Sequence, residues 1–407
     1  MTGMEVCLGD IVTIGRGSSP RPIKDEKYFK DGSIPWVKIA DATASGKYII
    51  QTKQFVNEYG ASFSRHLKKG SLIISASGTL GTPYFLGIDA CIHDGWLYFS
   101  DYAGVEPEWL YYKLMTLKEY FNGISYGAAI QNINTDIVRE TKIFLPDLEI
   151  QTKQVQILKS IDELSKTYED RIRIYESVLA ELYNSWFINF KFPNHEQVEF
   201  FDGIPDGWGI QTIDDVCETV GGGTPSTKID AYWENGDVEW VTPTDITKLK
   251  SLILINPEKK ITRLGLEKSS AKLVPPNTIL MTSRASIGYF GLIDREVCTN
   301  QGFISIIPHN EIMRYYLLLN LKSRVSEIDS LASGATFKEI SKSTFRKMPI
   351  VLPSDEILEK FDQLVRPIIS QMRNLEQQND QLFKLKETLL PRLMSGELDV
   401  SKLSSIE

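Results

Sequence analysis

The sequence predicts an α+β protein: two mixed α/β globules joined by two long antiparallel helices, a coiled-coil pair, in a pseudo-twofold circular arrangement. Three observations predict it. The chain repeats itself, each repeat alternates between two textures, and each contains a long glycine-free stretch with an apolar stripe at helical spacing.

The repeat is read directly. Leu8-Gly9-Asp10-Ile11, a Gly/Ser turn ending at Pro20, and Pro35-Trp36-Val37-Lys38-Ile39-Ala40-Asp41 form the first copy. Ile213-Asp214-Asp215-Val216, a Gly/Thr turn ending at Pro225, and Glu239-Trp240-Val241-Thr242-Pro243-Thr244-Asp245 answer them. The offset is 205 positions at Asp10 and Asp215, and 207 at Gly81/Gly288, Gly95/Gly302, Gly127/Gly334 and Pro146/Pro353. At 407 residues, the repeat makes each domain roughly half of the chain.

Residues 1–147 and 208–354 hold short β-type runs punctuated by Gly, Pro, Asn and Asp, such as Ser71-Leu72-Ile73-Ile74-Ser75 and Thr278-Ile279-Leu280-Met281-Thr282. Glu108 to Phe121 and Glu311 to Leu331 carry helical spacing among them. Each globule closes on a strand-like run and Leu-Pro, at Leu145-Pro146 and Leu352-Pro353.

After each Leu-Pro comes a helix. In the first, apolar residues fall at Ile157, Ile161, Leu164, Tyr168, Ile172, Tyr175, Leu179, Leu182 and Trp186, in steps of three and four. The second runs Phe361, Leu364, Ile368, Met372, Leu375, Asn379, Leu382, Leu385 and Leu389. At 1.5 Å per residue each helix spans on the order of 55–60 Å. So long a stripe needs a partner, and the economical partner is the other helix. The expected helix–helix contacts are Ile161, Leu164, Tyr168, Ile172, Leu179, Ile368, Met372, Leu375 and Leu382. The expected divisions are a first globule at 1–147, a central helix at 148–192, a second globule at 193–355 with a lead-in at 193–207, and a C-terminal helix and tail at 356–407. The tail Gly396-Glu397-Leu398-Asp399-Val400 matches the start of the stretch Asn189 to Trp208, which the first repeat lacks. A deficit at one end made good at the other is the mark of a circular arrangement, with both termini near one another.

Composition narrows the function. The apolar fraction of 42% and charged fraction of 24% are those of a soluble globular protein. No secretory signal and no membrane span is expected. Four cysteines, none in a C-x-x-C pair, argue against a zinc site and for a reducing compartment, the cytoplasm. Cys91 and Cys298 are repeat equivalents, which suggests one buried position used twice.

Catalytic constellations are poor. His66, His93, His195 and His309 have neither metal-ligand spacing nor a Gly-x-Ser-x-Gly elbow, so no metal and no catalytic residue is expected. Gly222-Gly223-Thr224-Pro225-Ser226-Thr227-Lys228 contains a proline and lacks the glycine before the lysine, which excludes a nucleotide-binding loop. No Walker A or methyltransferase Asn-Pro-Pro-Tyr motif appears.

What differs between the copies is polar. His93-Asp94 becomes Asn300-Gln301, Ser77 becomes Arg284, and Gly127-Ala128-Ala129-Ile130-Gln131-Asn132 becomes Gly334-Ala335-Thr336-Phe337-Lys338-Glu339. Asn and Gln pair with adenine and Arg with guanine, so a shared frame with divergent tips fits readout of two unlike stretches of duplex DNA. A core or loop-capping role for His93 and Asn300 is equally open. The candidate DNA contacts are Ser18, Arg21, Lys38, Ser77, Thr79, His93, Gln131 and Asn132 in the first repeat. In the second they are Thr224, Ser226, Lys228, Thr242, Thr244, Arg284, Ser286, Asn300, Gln301, Thr336 and Lys338. Basic clusters at Lys24/Lys27/Lys30, Arg65/Lys68/Lys69, Lys248/Lys250, Lys259/Lys260/Arg263 and Lys338/Lys342/Arg346/Lys347 are phosphate-contact candidates or ordinary solvated charge. The net charge of −8 predicts modest intrinsic DNA affinity and help from a basic partner. A duplicated-domain enzyme, or a helical adaptor that reads no bases, are the competing readings.

The layout of two globules and two long helices, with Gly221-Gly222-Gly223-Thr224-Pro225 and Leu389-Leu390-Pro391-Arg392-Leu393-Met394-Ser395-Gly396-Glu397-Leu398, resembles the specificity subunit of type I restriction–modification systems over essentially the whole chain. The resemblance implies two target recognition domains, each reading half of a bipartite asymmetric site in double-stranded DNA. It implies that the helices act as a ruler of one to two DNA turns and dock two modification (DNA adenine methyltransferase) subunits, which restriction subunits (translocase/nuclease) join. S-adenosylmethionine and ATP would bind those partners, and this chain would hold no cofactor and be non-catalytic by itself.

Overall fold

The computed structural model describes residues 3–43, 45–125, 132–334 and 338–402. The chain divides into two compact units, Met1–Glu163 with Phe383–Glu407, and Leu164–Leu382. Both contain mixed sheets and helix, the expected α+β class.

In the first unit a five-stranded sheet has the order Thr13–Arg16, Trp96–Ser100, Leu72–Ser75, Pro83–Leu86 and Tyr48–Ile49. A four-stranded sheet runs Phe55–Val56, Ile34–Val37, Ala90–Ile92, Arg65–Leu67, and Gly3–Cys7 pairs with Lys142–Pro146. The second unit repeats the plan. Its sheets run Cys217–Gly221, Phe303–Pro308, Ile279–Thr282, Phe290–Leu292, and Lys259–Ile261, Val238–Val241, Val297–Thr299, Leu273–Val274, and Gly209–Thr212 pairs with Pro349–Leu352. Register agrees in detail: Trp36 lies beside Cys91 in parallel pairing, and Trp240 beside Cys298. The β-branched runs read in the sequence are fully buried strands, as in Leu72–Ser75 and Ile279–Thr282.

The two stretches read as helical each divide into two helices. Pro107–Thr116 and Lys118–Ser125 are separate helices, as are Arg314–Ser323 and Val325–Ser330. Each break follows a helix whose inner residues are buried nearly all round, Trp109 to Leu114 and Arg314 to Leu321. A stripe count cannot place a turn in such a segment.

Helices Leu148–Tyr183 and Asp355–Ser395 each contribute to both units. Within each unit they run antiparallel. In the first, Gln154 reaches Leu393 while Asp162 reaches Lys386. In the second, Ser165 Oγ bonds Asn379, and Trp186 and Phe187 pack on Phe361 with ring centroids 5.6 and 4.7 Å apart. Ile172, Leu179, Met372 and Leu375 are buried in the core of the second unit, with Tyr168 and Ile368 packed at its margin. Ile161 is also buried, and Leu382 is half-buried.

Three residues of the stripes are corrected. Leu164, an expected interface residue, is exposed, as are Leu364 and Leu385. In the second helix the buried line runs Leu358, Phe361, Val365, Ile369, Met372, Leu375. The turn-to-turn drift of 3.6 residues passes from Phe361 to Val365, one position beyond the apolar Leu364. The stripes also pack on the globule as well as on each other: Phe187 meets Tyr316 at 4.7 Å, inside the same core.

The end of each long helix and the residues that follow it complete a core. Trp186, Phe187 and Phe192 do so in the second unit, and Leu393, Met394 and Val400, near the chain's end, in the first. Trp186 and Leu393 are 207 positions apart, as are Phe187 and Met394. The C-terminal tail thus gives the first unit what the stretch from Trp186 gives the second.

Candidate nucleic-acid interface

In each unit, turns leaving the strands converge because short backbone bonds clamp them. In the first unit Ser18 N–H donates to Ile92 O (3.2 Å), Ala76 N–H to Gly95 O (2.8 Å) and Ile133 N–H to Ala76 O (2.9 Å). The second carries the matching set: Gly223 to Thr299 (2.8 Å), Ser283 to Gly302 (2.8 Å) and Ile340 to Ser283 (3.0 Å). Loop 17–21 thus meets 76–80, 93–95 and 132–133, and loop 222–228 meets 283–288, 300–302 and 338–340. Gly222 shows why glycine stands there: an added Cβ would collide with the Thr299 and Asn300 carbonyls. No such loop cluster follows from any one motif.

The expected residues separate by what their side chains already do. Arg21 is exposed and pairs with Asp94. Ser18 and Thr79 are exposed and Ser77 is half-buried. Lys38 lies over the Trp36 ring, 5.0 Å from its centroid. Asn132 Oδ1 accepts from Arg16 Nη2 at 2.8 Å. In the second unit Thr224 Oγ1 donates to Gln301 Oε1 at 2.5 Å. Ser226 and Lys228 are exposed, and Lys338 pairs with Asp329 at 3.0 Å. An open cleft of about 430 Å³ brings together Thr244, Arg284, Ser286, Asn300 and Gln301 with Pro243 and Gly302. Gln131 and Thr336 fall outside the described residues.

Three expectations change. Thr242 gives its hydroxyl to Asp245 (2.6 Å) in a helix capping box, so it holds a turn. Asn300 Oδ1 accepts from Gly302 N–H at 2.8 Å, and His93 Nδ1 accepts from Gly95 N–H at 2.9 Å. The two residues do the same loop-capping job. Bidentate adenine readout needs both ends of the Asn300 amide, and one end is engaged. Asn300 keeps its amide NH₂ in the cleft, and the other ring nitrogen of His93, Nε2, lies 3.0 Å from Asp94 Oδ1. Burial holds the His93 pKa below its ordinary value, with Asp94 opposing.

The basic clusters also divide. Arg346 donates to Thr219 Oγ1 (2.6 Å) and Thr219 O (3.0 Å), and its repeat equivalent Arg139 to Ile14 O (3.0 Å). Both are framework residues, identified by their enclosed carbonyl partners. Lys27, Lys68, Lys250 and Arg263 pair with Asp25, Asp89, Glu169 and Asp237. Sequence reasoning missed Arg16, which bonds Asp94 O (3.1 Å) and Ile133 O (3.2 Å) and ties three loops together. Its partners lie 78 to 117 positions away, beyond any local signal.

Cys91, Cys217 and Cys298 are buried, and burial pushes the Cys217 and Cys298 thiols up to about 12. Among the described residues no cluster of three His, Cys, Asp or Glu is placed to hold a metal ion, and no helix is long and apolar enough to cross a membrane.

A frame kept in duplicate under unlike polar tips defines the class: a two-domain recognition protein. Comparison with known proteins gives the family. The profile of the type I restriction modification DNA specificity domain matches residues 2–173 and again 205–381. The MjaIX type I restriction enzyme specificity subunit of Methanocaldococcus jannaschii is 35% identical over 184 residues, 45% of this chain and 42% of that one, so the match spans less than half of that relative. The HindI specificity subunit of Haemophilus influenzae is 24% identical over 406 residues, 82% of this chain and 87% of its own. The crystal structure of a type I restriction–modification S subunit from M. genitalium shares the fold, with a TM-score of 0.60 at 13% identity over 98% of this chain and 97% of that one. The chain belongs to the type I restriction–modification DNA specificity family, and its function is sequence-specific DNA recognition.

Proposed function

We propose that each unit reads one half of a bipartite asymmetric site. The observation that carries this is the pairing of a shared loop frame with unlike tips: Ser77, His93, Asp94 and Asn132 stand where Arg284, Asn300, Gln301 and Glu339 stand in the other unit. The exposed and half-buried polar residues of the first loop cluster (Ser18, Arg21, Ser77, Thr79) and of the second (Thr224, Ser226, Thr244, Arg284, Ser286, Gln301) enter the major groove. Lys228 and the other exposed cations hold phosphates. The paired helices set the spacing between half-sites and dock two adenine methyltransferase subunits, and restriction subunits join that assembly. S-adenosylmethionine and ATP bind the partners, in the cytoplasm, and this chain contributes no catalytic group.

The test exchanges residues 208–354 for the equivalent segment of a relative with a different target and maps methylated sites with the partner subunits present. One half of the recognised site changes and the other half is retained. A site changed in both halves, or in neither, refutes the assignment.

A further inference from the structure

We infer that Arg284 and Glu339 form a preassembled reader of one guanine in the half-site of the second unit, Arg284 contacting the base and Glu339 positioning it. The inference rests on the reading of that unit as a DNA-recognising domain.

Arg284 and Glu339 face each other in an antiparallel bridge between two turns. The backbone fixes both sides: Ala285 N–H donates to Lys338 O at 2.9 Å, Ile340 N–H to Ser283 O at 3.0 Å, and Glu339 exchanges both backbone bonds with Ser333. Ala285, next to the arginine, holds a left-handed backbone at φ +61°. One carboxylate oxygen, Oε2, accepts from both Nε (3.1 Å) and Nη2 (2.8 Å) of Arg284. That takes the inner edge of the guanidinium. The outer edge, with both Nη1 protons and the second Nη2 proton, keeps the fork that matches guanine O6 and N7.

The surroundings favour a base over a phosphate. The guanidinium and carboxylate together are neutral, so the pair adds little to phosphate attraction while keeping directional donors. Both side chains are two-fifths exposed, and Arg284 is the charged side chain in a cleft otherwise lined by Thr244, Ser286, Asn300 and Gln301 with small or apolar neighbours. Nor does the frame require the pair. In the first unit the same junction is closed by the same backbone bond, Ile133 to Ala76, with Ser77 and Asn132 in place of Arg284 and Glu339. There Asn132 receives Arg16 Nη2, and Arg16 Nε and Nη2 also donate to the carbonyls of Asp94 and Ile133.

The experiment selects duplexes from a library randomised across the site, using the full chain with its methyltransferase subunit, for the wild type, Arg284→Ala, Arg284→Lys and Glu339→Gln. The wild type requires guanine at one position. Arg284→Ala relaxes that position by about 5- to 150-fold, the size of a bidentate contact, and leaves the others intact. Arg284→Lys does not restore it, because an ammonium has no planar fork. Glu339→Gln relaxes the same position less, without loss of overall affinity. Specificity unchanged in Arg284→Ala, an equal loss at every position, or a different position relaxed by Glu339→Gln overturns the inference alone. A wild type with no base preference refutes the domain's role as a reader, and the inference with it.

Discussion

Replacing Gln154 by leucine should loosen the first unit far more than its position on a long surface-crossing helix suggests. Gln154 is 1% exposed; its Oε1 accepts from Trp109 Nε1 at 2.7 Å and its Nε2 donates to Leu393 O at 2.6 Å. Trp109 is itself fully buried and Leu393 nearly so, so water cannot replace the lost partner. Leucine is close to glutamine in size, which keeps the cavity term small and leaves the Trp109 indole N–H without a partner, while Leu393 O keeps its bond from Gly396 N–H. The orphaned indole costs about 1–3 kcal/mol, against a typical whole-domain stability of about 5–15 kcal/mol. Amide hydrogen exchange of the full chain in increasing urea measures it. The opening free energy of amides in residues 72–75 and 96–100 falls by that amount, and that of amides in 279–282 and 303–308 does not move. Gln377→Ala, at an exposed position of the other helix, serves as the control and stays within about 0.5 kcal/mol. A loss below about 1 kcal/mol for Gln154→Leu would show that the buried amide does not anchor the C-terminal segment.

Two further predictions follow from the loop and the core. The folded-state pKa of His93 lies below its ordinary 6.5, so the unfolded chain binds the extra proton first; loop stability is full above that value and declines as pH falls toward the folded pKa. Asp94 beside the ring favours the proton while Lys38 and Arg21 oppose it. The protection factor of the Gly95 amide, its exchange corrected for the intrinsic rate at each pH, therefore falls on acidification from pH 7.5 to 5.5, and His93→Asn, which copies Asn300, abolishes that dependence; an equal fall in both proteins would refute the capping role. For the thiols, Cys217 and Cys298, pushed up to about 12, resist iodoacetamide at pH 8 in the native protein and react on unfolding, as mass spectrometry of the modified peptides would show.

The repeat made the fold legible, because a frame must reuse its turns and close contacts. Trp36 beside Cys91 and Trp240 beside Cys298 were visible as matching letters before they were neighbours. The helices were legible through periodicity, but not their phase: Leu364 is apolar and exposed while Val365 is buried, because a helix contacting both a globule and another helix buries more than one stripe. Buried polar positions were not legible at all. Gln151 and Gln154 stand 207 positions before Leu358 and Phe361, and only partners as distant as Leu393 explain an amide at a core position. At the loop tips the sequence marked which residues differ between copies. It could not distinguish a side chain offered outward, such as Gln301 or Arg284, from one turned in to hold its own loop, such as Thr242 or the Oδ1 of Asn300.

The arginines resolve the tension between an acidic chain and a polyanionic target. Those of the frame, Arg16, Arg139 and Arg346, donate to backbone carbonyls and are spent on architecture. Those at the tips are paired with carboxylates, Arg21 with Asp94 in one unit and Arg284 with Glu339 in the other. The pairs occupy different loop positions, since Gln301 stands where Asp94 does and Ser77 where Arg284 does. A neutral Arg–carboxylate pair gains little from the phosphate field and keeps its hydrogen-bond geometry, so it discriminates between bases more than it attracts DNA. With a net charge of −8 over the whole chain, most of the attraction then has to come from other members of the assembly. That division predicts a steep salt dependence for the complex and a shallow one for this chain alone. An isolated chain whose affinity falls with salt as steeply as the complex would show that it holds the backbone by itself.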